Sequence, residues 1–380
     1  MKKNYSVIVI GAGSIGMASG YFLAKNGVDT LLIDAFDPPH GNSSHHGETR
    51  LIRHAAAEGE QYVPLSLRSQ ELWHQLEEEM DKTLFIPTGT LLVGENNAPF
   101  IKNSIKSAEH HSLPLEKLDA NEIHKRWPEF SISEEFNGYF ESASGALLNE
   151  ECISAYKKLA SQYGAKIKVN TKIDNIDYLN NGVIVKTSTD TYYADKVIIS
   201  AGAWTGKLLS SLELPLQPMR KTFGWFEANY TSFRYPKLPS FYFSFHGQKY
   251  YGFPNINGSG VKVARNDSES KVEPDLMKED FNKYKSDEDD LRYFLEKFIP
   301  RAAGKLIKGK SCMITKTPDK NFIVDEHPKF PHVLIAGGFS GHGFKYSSVL
   351  GEILSQMIIE GKPSYDISHF SITRAPLKVK

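Results

Sequence analysis

Four potential cations crowd one short segment of this 380-residue chain: His45, His46, Arg50 and Arg53 all fall within Ser44-His-His-Gly-Glu-Thr-Arg-Leu-Ile-Arg53. An arginine fork suits a planar carboxylate because it binds bidentately. Fixed cations beside a reacting centre also stabilise negative charge as it develops. A polar segment of this kind is otherwise simply solvated. Far along the chain, Lys345 follows the glycine-rich Gly337-Gly-Phe-Ser-Gly-His-Gly343 and opens a helical pattern. A lysine there opposes the helix dipole, which makes more sense if an anion sits in front of it. Lys262 lies in Val261-Lys-Val263, pointing opposite to its apolar neighbours. Edge-strand protection is the ordinary reading of such a lysine, and a charge aimed at a reactant is the other. Cys312, in Lys308-Gly-Lys-Ser-Cys-Met, reads by itself as a buried apolar thiol. Its basic surroundings predict a lowered pKa and a reactive thiolate. Cys152 has no such context and reads as core, and two cysteines make no disulfide framework.

The elements that must position these groups begin with a dinucleotide fold. Tyr5-Ser-Val-Ile-Val-Ile10 is a buried parallel strand that enters Gly11-Ala-Gly-Ser-Ile-Gly16 and then a helix through Lys25. A second strand, Thr30-Leu-Leu-Ile33, ends on Asp34. Gly11 permits the tight turn, Gly13 lets a pyrophosphate approach, and Gly16 lets the helix pack closely on the strand. The helix N-terminus offers N–H groups and positive dipole to phosphates. Asp34 can hold a ribose hydroxyl and argues against a 2′-phosphate, hence against NADP, while leaving NAD and FAD open. The turn at Gly337–Gly343, with His342, would bracket the same ligand with the first turn from two sides, and Gly202 sits at the mouth of another strand-to-helix turn of the kind where ligands bind.

Composition bounds the rest. Hydrophobic content of 40%, charged content of 24% and a formal net charge of zero describe an ordinary globular chain with no pull toward nucleic acid or an anionic membrane. No apolar stretch is long enough to span a bilayer, and the N-terminal apolar run is the dinucleotide strand rather than a signal peptide. The cytoplasm is the expected location. A polar loop is expected over 36–54 and a long amphipathic helix from about Tyr62 to Glu79. Helices are expected from about Glu150 to Tyr163, Asp275 to Tyr284, Asp287 to Phe298 and Lys345 to Ile359. Residues 216–314 alternate in the manner of antiparallel strands. The expected fold class is α/β: a discontinuous Rossmann-type domain of 1–83, 145–215 and 315–380, and a second antiparallel-sheet α+β domain of 84–144 and 216–314.

At this point the chain resembles a known family, the monomeric sarcosine oxidase and N-methyltryptophan oxidase group of flavoenzymes. The resemblance rests on Phe36-Asp-Pro-Pro-His40, Ser44 to Arg53, Glu60 to Trp73, Tyr250-Tyr-Gly-Phe-Pro254, Cys312 and Gly338 to Lys345, and covers nearly the full length. It implies a D-amino-acid-oxidase-like fold and FAD-dependent oxidation of an N-methyl amino acid by O2, giving the amino acid, formaldehyde and hydrogen peroxide. It implies FAD bound covalently through Cys312, His46 and Arg50 beside the flavin, and Lys262 over it to promote O2 reduction. Arg53 and Lys345 would clamp the substrate carboxylate, and Tyr251 would line the pocket, though a strand tyrosine is more often plain core. A monomer is expected, with no metal. The chain departs from the sarcosine oxidase pattern at Asn266, Tyr242 and Ile314, where the pattern has histidine, methionine and tyrosine. Those positions line the amine end of the pocket, so the substrate side chain stays open. Rival readings are another flavin amine oxidase acting on glycine or a glycated amino acid, an NAD-dependent dehydrogenase, and an idle nucleotide-binding protein.

Overall fold

The Tyr5–Ile10 run is apolar on both faces, so it has to lie inside a sheet rather than at its edge. In the computed structural model, which describes residues 3–95, 97–228, 230–267, 270–277 and 281–377, it does. The Asn4–Ile10 strand pairs in parallel with Thr30–Ile33 on one side and Thr191–Ile199 on the other. Lys166–Lys168 extends the sheet beyond Thr30–Ile33. The long Thr191–Ile199 strand has two partners along its other edge. Its first half pairs with Gly182–Thr187, part of an antiparallel meander, and its second half pairs in parallel with Phe330–Gly337.

Helices Ser14–Lys25, Tyr62–Met80, Asn149–Gln162 and Ser347–Ile359 bury one face of this sheet around Val7, Val9, Leu32, Trp73, Tyr156 and Leu350. Burying each such side chain contributes roughly 1.5–3 kcal/mol. Gly11 has φ +85°, and a Cβ on Gly16 would lie 1.9 Å from the Gly11 carbonyl oxygen. Both glycines are therefore required by the turn itself, before any ligand is considered.

A second sheet of nine strands carries the other half of the molecule. Its central run is Gln217–Phe226, Val261–Arg265, Gln248–Phe253 and Ser240–Phe245, all antiparallel neighbours. Leu306–Lys316 pairs along Gln217–Phe226. Alternation sorts its side chains cleanly. Phe226, Phe241, Phe243, Tyr250, Val261 and Val263 face helix Ser286–Phe298, where Phe294 stacks 4.7 Å from Tyr250. Tyr242, Lys249, Tyr251, Lys262, Ala264, Phe223, Trp225 and Cys312 take the opposite face by register. A buried bidentate pair, Arg220 to Asp287 at 2.7 and 2.8 Å, ties the helix to the sheet.

Three local expectations are corrected. The 36–54 segment is not all loop: Thr49–Ile52 is a strand in a small third sheet with Gly145–Leu148 and Phe85–Ile86. The helix expected over 275–284 is absent from its described residues, which form the Pro274–Leu276 turn and a run of turns from 281; positions 278–280 lie outside the described residues. Lys345 sits in the single turn Phe344–Tyr346 that precedes helix Ser347–Ile359. No helix among the described residues is long and apolar enough to cross a membrane.

Candidate active site

A cleft runs between the two large sheets, enclosing about 1170 Å³ of space with open solvent at its mouth included. Ser14 and Ile15, at the start of the first helix, line one end. Arg53, Glu58 and Lys345 line it elsewhere, as do Arg50, Tyr251, Gly202, His342 and Cys312. Residues more than 300 positions apart in sequence therefore line one cleft, and only tertiary packing brings them there.

The glycine-rich turn meets the requirements of a dinucleotide. Gly13 caps the helix without a side-chain bond. A Cβ on Gly13 would meet nothing nearer than His45 at 3.8 Å, so packing does not demand glycine there as it does at Gly11 and Gly16. The space in front of Gly13 is what a pyrophosphate needs. Asp34 accepts hydrogen bonds from the Ala12 N–H at 2.7 Å and the Phe36 N–H at 2.9 Å, so its carboxylate also braces the turn. Gly202, which also lines the cleft, has φ +54°, and a Cβ there would have no neighbour within 4 Å.

Arg53 and Lys345 occupy the far part of the cleft, both almost wholly buried. Glu58 accepts two bonds from Arg53 Nη2, at 2.9 and 3.1 Å, and Arg53 Nη1 donates to the Ala55 carbonyl. Burial opposes the Arg53 charge most strongly, but Glu58, Tyr242, Tyr346 and Glu141 together outweigh it and raise the pKa. Glu58 is held well below the usual carboxylate range: burial raises it, and Arg53, Lys345 and His342 together lower it further. Lys345 has its main chain fixed, its carbonyl accepting from Ser69 Oγ and, at 3.2 Å, from Trp73 Nε1. Its ammonium has no hydrogen-bond partner among the described residues, and burial brings its pKa down to about 8. Glu58 and Glu141 offset that burial only in part; a buried cation with no hydrogen-bonded counter-ion is costly, and a ligand carboxylate would relieve it.

Lys262 lies on an inner strand of the sheet, which removes edge protection as its explanation. Its Nζ donates to the Gly47 and Thr49 carbonyls at 2.5 and 2.8 Å and to Thr49 Oγ1 at 3.1 Å. Rings of Phe223, Trp225 and Phe253 surround it at 5.0 to 5.3 Å. Burial and Arg50 lower its pKa strongly. Arg50 donates to the Thr49 and Ser44 carbonyls at 2.9 and 3.0 Å and to the His46 carbonyl, knitting the cation-rich segment together.

Two expectations about the chemistry change. Cys312 is buried, and burial raises its pKa despite Arg50, Lys262, Lys221 and Arg220. The cations that act on it come from across the fold rather than from Lys308 and Lys310 beside it in sequence. His46 does not line the cleft. It turns to Glu150, Nδ1 to Oε1 at 3.3 Å, and that bond holds the Glu150 carboxyl down to about 2. His45 lines the cleft instead, with Nε2 buried and unbonded and its pKa driven well down by burial. His342 is likewise neutral near pH 7, lowered by burial to about 4, and its Nε2 bonds the Lys320 carbonyl at 3.0 Å.

Sequence reasoning missed Glu58, His45 as a wall residue, and Phe100, over whose ring Arg53 lies at 4.8 Å. No spacing rule finds Glu58, because its bond to Arg53 is made across a turn. Phe100 arrives from a distant helix.

Comparison with known proteins accords with this geometry. The family model described as FAD dependent oxidoreductase matches residues 6–357. A monomeric sarcosine oxidase of Bacillus sp. (strain B-0618) is 48% identical over all of this chain and 98% of its own. An N-methyl-L-tryptophan oxidase of Salmonella heidelberg (strain SL476) is 38% identical, covering 97% of this chain and 99% of its own. Among solved structures, glycine oxidase from Geobacillus kaustophilus superposes with a TM-score of 0.83 at 19% identity over 98% of this chain and all of that one, a likeness of fold alone.

Proposed function

The chain belongs to the FAD dependent oxidoreductase family, and on that scaffold we propose that it oxidatively demethylates N-methyl amino acids. The products are the amino acid, formaldehyde and hydrogen peroxide, as the names of its sarcosine and N-methyltryptophan oxidase relatives suggest. Membership in that family sets aside the NAD-dependent dehydrogenase. The observation that carries the reading is the buried Arg53–Lys345 pair in the same cleft as the dinucleotide turn and Cys312.

The residues fit FAD: Gly13 leaves room for a pyrophosphate, and His45 offers an unbonded buried nitrogen beside it. Gly11, Gly16, Asp34, Gly202 and His342 would complete its binding site, with Cys312 bonded through sulfur to the 8α-methyl group. When bound, FAD accepts two electrons from the substrate C–N bond and returns them to O2.

The chain's own residues do the rest. Lys345 and Arg53 hold the substrate carboxylate, Arg53 exchanging Glu58 for it at least in part. Two buried cations beside the substrate lower the pKa of its amine, favouring the neutral form that can be oxidised. Holding both reactants in one geometry makes the step effectively intramolecular. Loss of two electrons and one proton from the N-methyl group leaves an iminium ion, which water hydrolyses to formaldehyde and the demethylated amino acid. Lys262, backed by Arg50, supplies positive charge for O2 reduction. Tyr251 forms part of the pocket wall, and His46 acts indirectly, holding the Arg50 segment through its carbonyl. We read the protein as a monomer.

The test is direct. Purified yellow protein given sarcosine or another N-methyl amino acid in air is expected to release formaldehyde and peroxide in equal amounts, and to bleach when air is excluded. Peroxide from glycine or a glycated amino acid alone would favour the rival oxidase, and no bleaching by any amine would favour an idle protein.

A further inference from the structure

The wall beyond Arg53 is richer in donors than one carboxylate requires. Register places Tyr242, Lys249 and Tyr251 on one face of neighbouring strands, Tyr242 opposite Tyr251 and Lys249 opposite Ser244; Tyr242 and Tyr251 line the cleft, and Lys249 and Phe100 stand beside that wall. Phe100 stacks on Tyr242 at 4.2 Å with rings 8° from parallel. The Arg53 guanidinium carbon lies 4.8 Å and Lys249 Nζ 5.8 Å from the Phe100 ring centre, so both cations share one aromatic plate. The Asn266 amide donates to the Tyr242 hydroxyl at 3.0 Å, which leaves the hydroxyl proton free to serve another acceptor.

Acceptors are scarce. Glu58 is engaged by Arg53, and Asp267 is engaged by Arg265 at 3.0 and 3.3 Å. Lys249 Nζ has no ion-pair partner among the described residues although the side chain is half-buried. Burial and the nearby charge of Lys320 lower its pKa, and Glu58 and Asp267, both held by arginines, offset that only in part. None of this is explained by holding one α-carboxylate.

We propose that Tyr242, Phe100 and Lys249 form a second anion subsite, and that the preferred substrate is an N-methyl amino acid whose side chain ends in a carboxylate. The α-carboxylate goes to Arg53 and Lys345. The side-chain carboxylate takes the Lys249 ammonium and the Tyr242 hydroxyl, with the charge of Lys320 nearby. The inference rests on the demethylation reading above and narrows its substrate class.

Comparison of isosteric acids and amides tests it in the holoenzyme. N-methyl-L-glutamate and N-methyl-L-aspartate are expected to exceed N-methyl-L-glutamine and N-methyl-L-asparagine in kcat/KM by about tenfold or more, the scale of one charge-assisted hydrogen bond. In Lys249→Met that acid-to-amide ratio falls toward one, mainly through KM. As a reading independent of turnover, glutarate should perturb the flavin absorbance at lower concentration than butyrate, and Lys249→Met should abolish the difference. Sarcosine oxidised normally with equal kcat/KM for acid and amide overturns the subsite alone. A ratio that survives Lys249→Met also overturns it. Failure to oxidise any N-methyl compound, sarcosine included, overturns the demethylation reading and the subsite with it.

Discussion

Replacing Lys345 by methionine separates binding from stability. In the folded chain burial lowers the Lys345 pKa from 10.5 to about 8. At 1.36 kcal/mol per pKa unit that amounts to a few kcal/mol of destabilisation below pH 8. The sign follows from proton binding. Between about 8 and 10.5 the unfolded chain holds the proton and the folded chain does not, so wild-type stability rises with pH across that window. Lys345→Met keeps the stem volume and removes the buried charge, so at pH 7 it should unfold no more easily than wild type, and its stability should lose that alkaline rise. Substrate binding should move the other way. Loss of a charged hydrogen bond to the carboxylate costs about 1.5–3 kcal/mol, a ten- to hundredfold fall in kcat/KM. Thermal melts across pH 6–10, paired with kcat/KM from peroxide release, check both halves. An unchanged kcat/KM would show that the carboxylate is held elsewhere, and a strongly destabilised variant would show that Lys345 is paired in the folded chain.

The same ammonium predicts an alkaline limb. Carboxylate affinity should fall as pH rises through about 8 while the neutral amine fraction grows, so kcat/KM should be bell-shaped, and Lys345→Met should flatten the alkaline side. Gly13→Ala is expected to fold, since its Cβ meets only an ordinary contact at 3.8 Å, yet to lose flavin; Gly16→Ala, with a Cβ 1.9 Å from a carbonyl oxygen, should not fold. Equal flavin content in Gly13→Ala and wild type would refute the pyrophosphate site. Acid precipitation should leave the yellow colour in the wild-type pellet and in the supernatant for Cys312→Ser; colour in the wild-type supernatant rules out the thioether. Lys262→Met should bleach with substrate at close to the wild-type rate but reoxidise in air at least tenfold more slowly, about 1.4 kcal/mol of electrostatic assistance. Stopped-flow absorbance separates the two phases, and an unaltered reoxidation rate would remove Lys262 from the O2 step.

Local order determines a good deal here. The strand–glycine–helix–strand–acid run of residues 5–34 specifies a dinucleotide turn because each residue's backbone demand is met by its neighbours. The period-two alternation of 216–314 likewise writes an antiparallel sheet. Resemblance over nearly the whole chain points to Arg53, Lys345 and Cys312 as residues of one site, and all three line the cleft. What the sequence could not express was anything set by neighbours distant along the chain. Whether Lys262 guards an edge or sits buried depends on which strands flank it. The Cys312 thiol is governed by burial and by Arg50, Lys262, Lys221 and Arg220, not by the lysines beside it. His45 and His46 are adjacent in sequence, yet one lines the cleft and the other pairs with Glu150, a residue over 100 positions away. Glu58, Phe100 and Lys249 acquire meaning only beside Arg53. Charge and desolvation act through space, and the fold decides which groups share it.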